Sequence, residues 1–383
     1  MIERPVTVRP VRGRAELDAF VRLPWRLYRD DPHWVAPLLA DVRAALDGRK
    51  HPFHRHAEIE LFLALRDGAA VGRIAAIVNR AHNDFHGDRL GFFGLFECID
   101  EEPVAAALLG AAEAWLRERG RDAVEGPMNL STNDELYSPG VLIDGFGIPP
   151  AVMMAYTPPY YPRLLEAAGY GKSKDLVAYW VDGSKGLPDR FNSALARAQR
   201  AANVTIRPLD MKRFDAEVAI IQEIYNSAWE QNWGFVPMTP AEIEYMAKHL
   251  KPVVEARLCG LAEIDGEPVG FALALPEYNQ ALRHLNGRLL PFGVFKLLWY
   301  RRRINAVRVI TLGLKPPHRS KGIDAMLIGH IFRESTRMGI PRGECSWILE
   351  DNVAMRRGIE RGGGTVTKTY RVYGRPLEPA TQA

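Results

Sequence analysis

The tightest constraint on this 383-residue chain is that it repeats itself. Asp67-Gly68-x-x-Val71-Gly72 recurs as Asp265-Gly266-x-x-Val269-Gly270. Glu166-x-x-Gly169, followed by a lysine and a strand-like run, recurs as Glu360-x-x-Gly363 in the same setting. The first signature moves from 67 to 265 and the second from 166 to 360, offsets of 198 and 194. Two unrelated signatures in near-constant register point to two copies of one unit. The boundary is predicted near Asp182-Gly183-Ser184-Lys185-Gly186, giving halves 1–181 and 182–383. Each half is long enough to bury its own core.

The hydrophobic pattern makes both halves α/β. Asp-Gly turns predict hairpins, pairing 58–65 with 70–78 and 257–264 with 268–275. Residues 90–99 and 307–314 read as central strands, 104–119 as an amphipathic helix stopped by Gly120, and 176–181 and 365–373 as closing strands. A helix over 14–28 is predicted to be interrupted by Pro24.

One strand-turn-helix carries chemistry. Residues 307–314 are β-branched and apolar, and Pro316 and Pro317 end the strand. Arg319-Ser320-Lys321-Gly322-Ile323-Asp324 follows, then Met326, Leu327, His330, Ile331 and Glu334 at helical spacing. A helix that opens from a basic, glycine-containing turn is suited to bind an anion. Its first N–H groups have no internal partner, its dipole is positive there, and glycine lets a phosphate approach the backbone. A basic turn before a surface helix is the plainer reading. The corresponding corner of the first half, 99–103, reads Ile-Asp-Glu-Glu-Pro. It is acidic and lacks the glycine, so a phosphate is expected in the second half only.

Arg319-x-x-Gly322 resembles the pyrophosphate loop of the GCN5-related N-acetyltransferase (GNAT) superfamily, Arg/Gln-x-x-Gly-x-Gly/Ala, with Asp324 departing at the third position. The order of elements, taken twice, resembles a tandem GNAT protein: two domains, each a mixed, mainly antiparallel sheet flanked by helices. The resemblance implies acyl-CoA as co-substrate and no metal, bound in the second half by Leu312, Gly313, Leu314, Arg319, Ser320, Lys321, Gly322, Ile323, Asp324 and Asn352. The first half becomes a scaffold or an acceptor wall. Family members often carry a tyrosine seven residues after that asparagine as general acid. Here the position is Ile359, so Tyr370 or Tyr373 is the candidate acid. Glu350 is the candidate base that takes a proton from the attacking amine, with Asp134 and Glu135 as second choices. Its plainer role is an acidic residue at a helix N-terminus.

The polar loop with Asn129, Ser131, Asn133, Asp134 and Glu135 reads equally as acceptor-binding or as a set of turn-stabilising side chains. Trp233 is placed where the family builds acceptor sites, with core packing as the alternative. The insertion 280–305 is apolar over 285–300 and bracketed by arginines. It fits a core helix pair, the wall of an acyl tunnel, or a segment lying on an anionic membrane; the core pair is the leading structural expectation.

The whole chain, notably G-P-M-N-L-S-T-N-D-E, M-M-A-Y-T-P-P-Y-Y and L-N-G-R-L-L-P-F-G, resembles bacterial ceramide synthase-like acyltransferases. That implies an acyl-CoA-dependent N-acyltransferase moving a long chain to an amine, with a sphingoid base as the leading acceptor. The alternatives are acetyl transfer to a small polar amine, a non-catalytic acyl-CoA sensor or scaffold, and a Fem-like aminoacyl transferase using charged tRNA.

Composition removes other classes. A net charge of +4 argues for anionic ligands more than for nucleic acid. Three distant cysteines, Cys98, Cys259 and Cys345, make neither a disulfide framework nor a zinc ribbon. No secretory signal or spanning segment is visible, so the cytoplasm, with contact at the inner membrane surface, is the expected place. His51, His54 and His56 lack a completing ligand for metal. Gly171-Lys172-Ser173 lacks the upstream glycine of a nucleotide loop, and no G-x-S-x-G marks a hydrolase.

Overall fold

A computed structural model describes residues 5–133, 137–201 and 203–378. The order in the first half is β1 (Thr7–Pro10), α1 (Gly13–Leu27), α2 (Leu39–Ala45), β2 (Ala57–Arg66), β3 (Ala69–Asn79), α3 (Arg80–His86), β4 (Leu90–Cys98), α4 (Glu102–Glu118), β5 (Ala123–Gly126), β6 (Val141–Asp144), α5 (Tyr161–Ala167) and β7 (Gly171–Asp182). The second half continues with α6 (Asp189–Ala201), β8 (Val204–Pro208), α7 (Phe214–Trp229), α8 (Pro240–Leu250), β9 (Cys259–Ile264), β10 (Glu267–Pro276), α9 (Asn279–Leu282), α10 (Gly293–Tyr300), β11 (Ala306–Leu314), α11 (Ile323–Arg337), β12 (Arg342–Leu349), α12 (Val353–Arg361) and β13 (Thr365–Pro376).

Both repeated signatures are local devices. Asp67 and Gly68 have φ of 50° and 76°, and Asp265 and Gly266 have 51° and 83°. Positive φ at both central residues suits the two-residue hairpin. Downstream, the register skips Val71 between Ala70 and Gly72 and skips Val269 between Pro268 and Gly270. The D-G-x-x-V-G string thus writes a turn and then a β-bulge. In the other signature, Gly169 and Gly363 have φ of 83° and 88°. Their N–H groups bond to Glu166 and Glu360 carbonyls, and the next N–H reaches back to Leu165 or Ile359. Each glycine is the left-handed residue that closes a helix.

The compact units differ from the sequence halves. Unit 1 comprises Met1–Leu176, Asn286–Arg288 and Lys368–Ala383; unit 2 comprises Val177–Leu285 and Leu289–Thr367. The reason is strand exchange at the ends of the halves. In unit 1, β13 pairs antiparallel with β5, Tyr373 opposite Gly126, and with β6, Arg371 opposite Val141. Tyr373 and Leu377 therefore lie in the unit 1 core with Phe93, Leu108 and Tyr161. In unit 2, Val177 and Tyr179 of β7 cluster with Ile359 of α12.

Each unit carries a mixed, mainly antiparallel sheet. Unit 1 runs β1-β2-β3-β4 antiparallel, with β4 parallel to β5. Unit 2 runs β8-β9-β10-β11 antiparallel, with β11 parallel to β12. Helix α11 buries Ile323, Leu327 and Ile331 on the unit 2 sheet, and α7 buries Phe214 and Ile224 against Phe271 and Leu261.

Two expectations change. Pro24 does not break α1, which runs to Leu27. Proline cannot donate to the carbonyl four residues back, Phe20, and that oxygen accepts instead from Nη1 of buried Arg73 at 2.8 Å. Residues 285–300 do not form a core helix pair. Leu285 is buried, but Leu290, Phe292, Phe295, Leu298 and Trp299 are exposed. Helix α10 has only eight residues and, Lys296 apart, carries apolar or aromatic side chains around most of its circumference, so one contact face cannot cover it.

Candidate functional site

Strands β11 and β12 of unit 2 form a fork. Their parallel register runs from Ala306↔Arg342 to Val309↔Cys345 and stops, while β11 continues to Leu314 and β12 to Leu349. On its other edge β11 stays paired with β10, but the register jumps between Leu273↔Thr311 and Ala274↔Val309, leaving Ile310 as a bulge. A bulge bends its strand, here at the point where the partners part. Buried side chains tie the base of the fork. Arg308 donates to the Ser346 hydroxyl and carbonyl, both at 3.1 Å, and Ser346 donates to Glu344 at 2.7 Å. The Trp229 indole lies on β11: a Cβ built on Gly313 would stand 2.1 Å from it.

The glycine turn follows β11. Ser320 and Gly322 have φ of 61° and 79°, and Gly322 is the residue before α11. A left-handed serine is unusual and marks a constrained turn. Gly322 needs glycine twice over, because a Cβ there would lie 2.7 Å from the Ala198 Cβ of α6. The first helical bond in this turn is from Met326 N–H to the Gly322 carbonyl, at 3.2 Å. The N–H groups of Ile323, Asp324 and Ala325 therefore stand in the first turn without helical partners. Asp324, the departure from the family loop, occupies that first turn, where a carboxylate is favoured by the dipole. Arg319 donates to the Ala228 carbonyl near the end of α7 at 2.7 Å, so it fastens the turn to α7. Lys321 is exposed.

At the end of β12, Glu350 is partly buried, and its carbonyl accepts from Arg356 at 2.8 Å. Asn352 caps α12, accepting from Met355 N–H at 3.2 Å. Trp233 is half-buried in the turn after α7. Leu312, Gly313, Leu314, the glycine turn, Glu350, Asn352 and Trp233 thus all belong to unit 2.

The tyrosines proposed as acids belong to unit 1. Tyr370 and Tyr373 are fully buried, and Tyr373 donates to Glu166 at 2.8 Å. Burial and that carboxylate push its phenol well above the usual range. A repeat-related pair stands in unit 2: Tyr179 donates to Glu360 at 2.9 Å. Tyr179 also receives a 2.9 Å bond from Arg356, which links it to the Glu350 carbonyl. Sequence reasoning missed Tyr179, although it precedes Tyr373 by 194 residues, the offset between Glu166 and Glu360. It also missed α6, whose Phe191, Leu195 and Ala198 recur at helical spacing.

Unit 1 has the same fork, filled by its own chain. The parallel pairing of β4 and β5 ends at Phe92↔Glu125. Beyond it, Met128 N–H donates to the Phe93 carbonyl at 2.6 Å and Leu95 N–H donates to Asn129 Oδ1 at 3.0 Å. Asn129 Nδ2 donates in turn to the Ser138 carbonyl at 2.9 Å. A Cβ on Gly94 would fall 1.7 Å from the Met128 carbonyl oxygen, so the loop lies directly on the strand. The acidic corner is matched by arginines: Arg66 holds Glu101, and Arg163 holds Asp100 and Glu102. Asn129, a candidate acceptor residue, is buried with its amide bonded to backbone on both sides, and buried Ser131 accepts from Asn133 N–H at 3.2 Å in a local turn. Asp134 and Glu135 lie outside the described residues.

No cysteine is poised as a nucleophile: burial pushes the Cys259 and Cys345 thiols up to about 12 and Cys98 higher. His54 and His56 bond to the Ala45 carbonyl and Asn79. Among the described residues, no cluster of three or more metal-type ligands occurs, and no helix is long and apolar enough to cross a membrane.

A strand forking from its parallel neighbour in each of two units, with a glycine turn and helix at the unit 2 fork, defines a tandem GNAT fold. Solved structures agree on the fold. A tandem GNAT protein from the clavulanic acid biosynthesis pathway matches with a TM-score of 0.59 at 12% identity, covering 98% of this chain and 100% of that one. A GNAT from Sphaerobacter thermophilus matches with a TM-score of 0.52 at 15% identity, covering 99% and 98%. No protein-family model matches the chain. The bacterial ceramide synthase of Caulobacter vibrioides is 42% identical over 379 residues, 97% of this chain and 98% of that one. Protein YghO of Escherichia coli is 38% identical over 382 residues, 97% and 96%. This chain belongs to the family of that bacterial ceramide synthase.

Proposed function

We propose that unit 2 transfers an acyl group from acyl-CoA to an amine, and that the preferred pair is a long-chain acyl-CoA and a sphingoid-type amino alcohol. One contrast carries the reading: the unit 2 fork has the glycine turn and α11 beside it, whereas the unit 1 fork is closed by Met128 and Asn129. The name of the Caulobacter relative supports the lipid substrates.

In this mechanism the pyrophosphate takes the N-terminus of α11 and the thioester lies along β11. Backbone N–H groups of Leu312–Leu314 polarise the thioester carbonyl. Glu350 accepts a proton from the ammonium, directly or through water, and the neutral amine attacks. The tetrahedral intermediate collapses with cleavage of the C–S bond. The CoA thiolate leaves, the amide forms, and the second amine proton ends on the thiolate or solvent. A thiolate is a good leaving group, which makes the missing tyrosine at Ile359 tolerable. Holding both substrates in the fork supplies much of the acceleration.

The test is a titration of the purified protein with palmitoyl-CoA, acetyl-CoA and free CoA, read as thermal stability, followed by mass spectrometry of amide product with sphinganine. A ligand that binds only the folded state must stabilise it. A shift with palmitoyl-CoA well beyond free CoA, with amide formed, is the expected result. Equal shifts and transfer only from acetyl-CoA would move the reading to a small-molecule acetyltransferase. Binding without turnover would make the protein a sensor or scaffold.

A further inference from the structure

Helix α10 and the turns around it carry none of the residues assigned above to the acyl-transfer site. Leu290, Phe292, Phe295 and Trp299 are 76%, 73%, 68% and 58% exposed, and Leu298 is 52% exposed. Phe292, Phe295 and Trp299 fall at i, i+3 and i+7, on one helix face. Single exposed apolar residues are ordinary, but a contiguous aromatic and aliphatic group is not. Its charge setting is one-sided. Residues 278–323 contain no aspartate or glutamate, yet carry Arg283, Arg288, Lys296 and Arg301-Arg302-Arg303 before the basic residues of the site. Lys296 and the three consecutive arginines are exposed. Arg303 lies over the Trp299 and Tyr300 rings, at 5.4 and 5.7 Å, which joins the cationic group to the aromatic one.

We infer that this face docks on an anionic lipid bilayer, with Phe292, Phe295 and Trp299 entering the headgroup–acyl boundary and Lys296 and Arg301–Arg303 meeting lipid phosphates. Charge complementarity selects the occupant. A partner protein's core contact has no need for a cationic rim drawn from a segment, 278–323, that holds no acidic residue, whereas an anionic membrane surface attracts it. Aromatic rings beside arginines are the side chains that rest at such a boundary. Docking also gives the proposed lipid substrates a two-dimensional source. That consequence rests on the proposed function; docking itself does not.

Co-sedimentation with vesicles of phosphatidylglycerol and phosphatidylcholine, against phosphatidylcholine alone, tests it without any acyl-CoA present. Binding to the anionic vesicles only, weakened when salt rises from about 0.1 M to about 1 M, is expected. F292S, F295S and W299S change exposed side chains, so the fold should survive, and each should weaken binding about tenfold or more. Brominated lipid should quench tryptophan emission in the parent and much less in W299S. Absence of binding to either vesicle overturns the inference. So does self-association abolished by the same substitutions without vesicle binding, which would make a second copy the occupant. Transfer from a water-soluble short-chain acyl-CoA, measured in parallel in F295S, separates loss of docking from loss of the acyltransferase reading.

Discussion

The hydroxyl of Tyr179 donates to Glu360 at 2.9 Å, and the glutamate sits three residues before the glycine that ends its helix. The same bond is made 194 residues away by Tyr373 and Glu166. One bond used twice, once in a unit whose fork is filled, is a device of the fold before it is anything catalytic. It anchors the end of α5 or α12 to the strand exchanged from the other half.

Tyr373→Phe should therefore cost stability, not chemistry. Loss of a hydrogen bond to a carboxylate costs roughly 1.5–3 kcal/mol, visible as a lower Tm. Turnover should stay within about twofold of the parent. A fall of about 100-fold or more at unchanged Tm would instead make Tyr373 the general acid.

What the sequence disclosed depended on how local the cause was. Asp67-Gly68 and Asp265-Gly266 were legible because a two-residue hairpin demands positive φ, a property of those residues themselves. Gly322 was legible for a different reason, its place in a basic turn between a strand and a helix, and its positive φ emerged only in the structure. The exchange of β7 and β13 was not, since no residue of either strand states which neighbour it will pair with. Asn129 left two readings open because polarity is written in the sequence and its partner, the Leu95 N–H, is not. The residues around Phe295 were legible as apolar, but an apolar pattern does not say what covers it.

Gly322→Ala should weaken acyl-CoA binding selectively. A side chain at φ 79° costs about 1–2 kcal/mol, and the new methyl meets Ala198 of α6. The expected outcome is a rise in KM for acyl-CoA of about tenfold. Ala198→Gly added to it should recover part of the loss by opening the contact, while the φ penalty remains. Recovery of nothing would mean that the contact with α6 is irrelevant.

Asn129→Ala tests the plug in unit 1. It strands the buried Leu95 N–H and Ser138 carbonyl, and each unpaired group costs about 1–3 kcal/mol. Urea unfolding should show that loss, with KM for acyl-CoA unchanged. An unchanged unfolding midpoint together with a raised KM for the amine would return Asn129 to the acceptor site.

Acid should loosen the protein through its histidines of lowered pKa, of which His330 and His82 are buried and His284 is exposed. His330 is buried on α11 with Nε2 3.0 Å from the Arg257 carbonyl, and burial lowers its pKa despite that bond. His82 is lowered by burial too, against the pull of Asp88. In the unfolded chain both titrate near pH 6.5. Below that value the unfolded state binds more protons than the folded one, so stability falls with falling pH. It is complete above about pH 6.5 and declines until the pH passes the lowered folded-state values, where the slope ends. Urea midpoints measured from about pH 7.5 down to about pH 5 should trace this decline. His330→Gln, which keeps a donor for the Arg257 carbonyl but cannot titrate in this range, should flatten it. An equally steep decline in His330→Gln would assign the slope to His82 or to other groups.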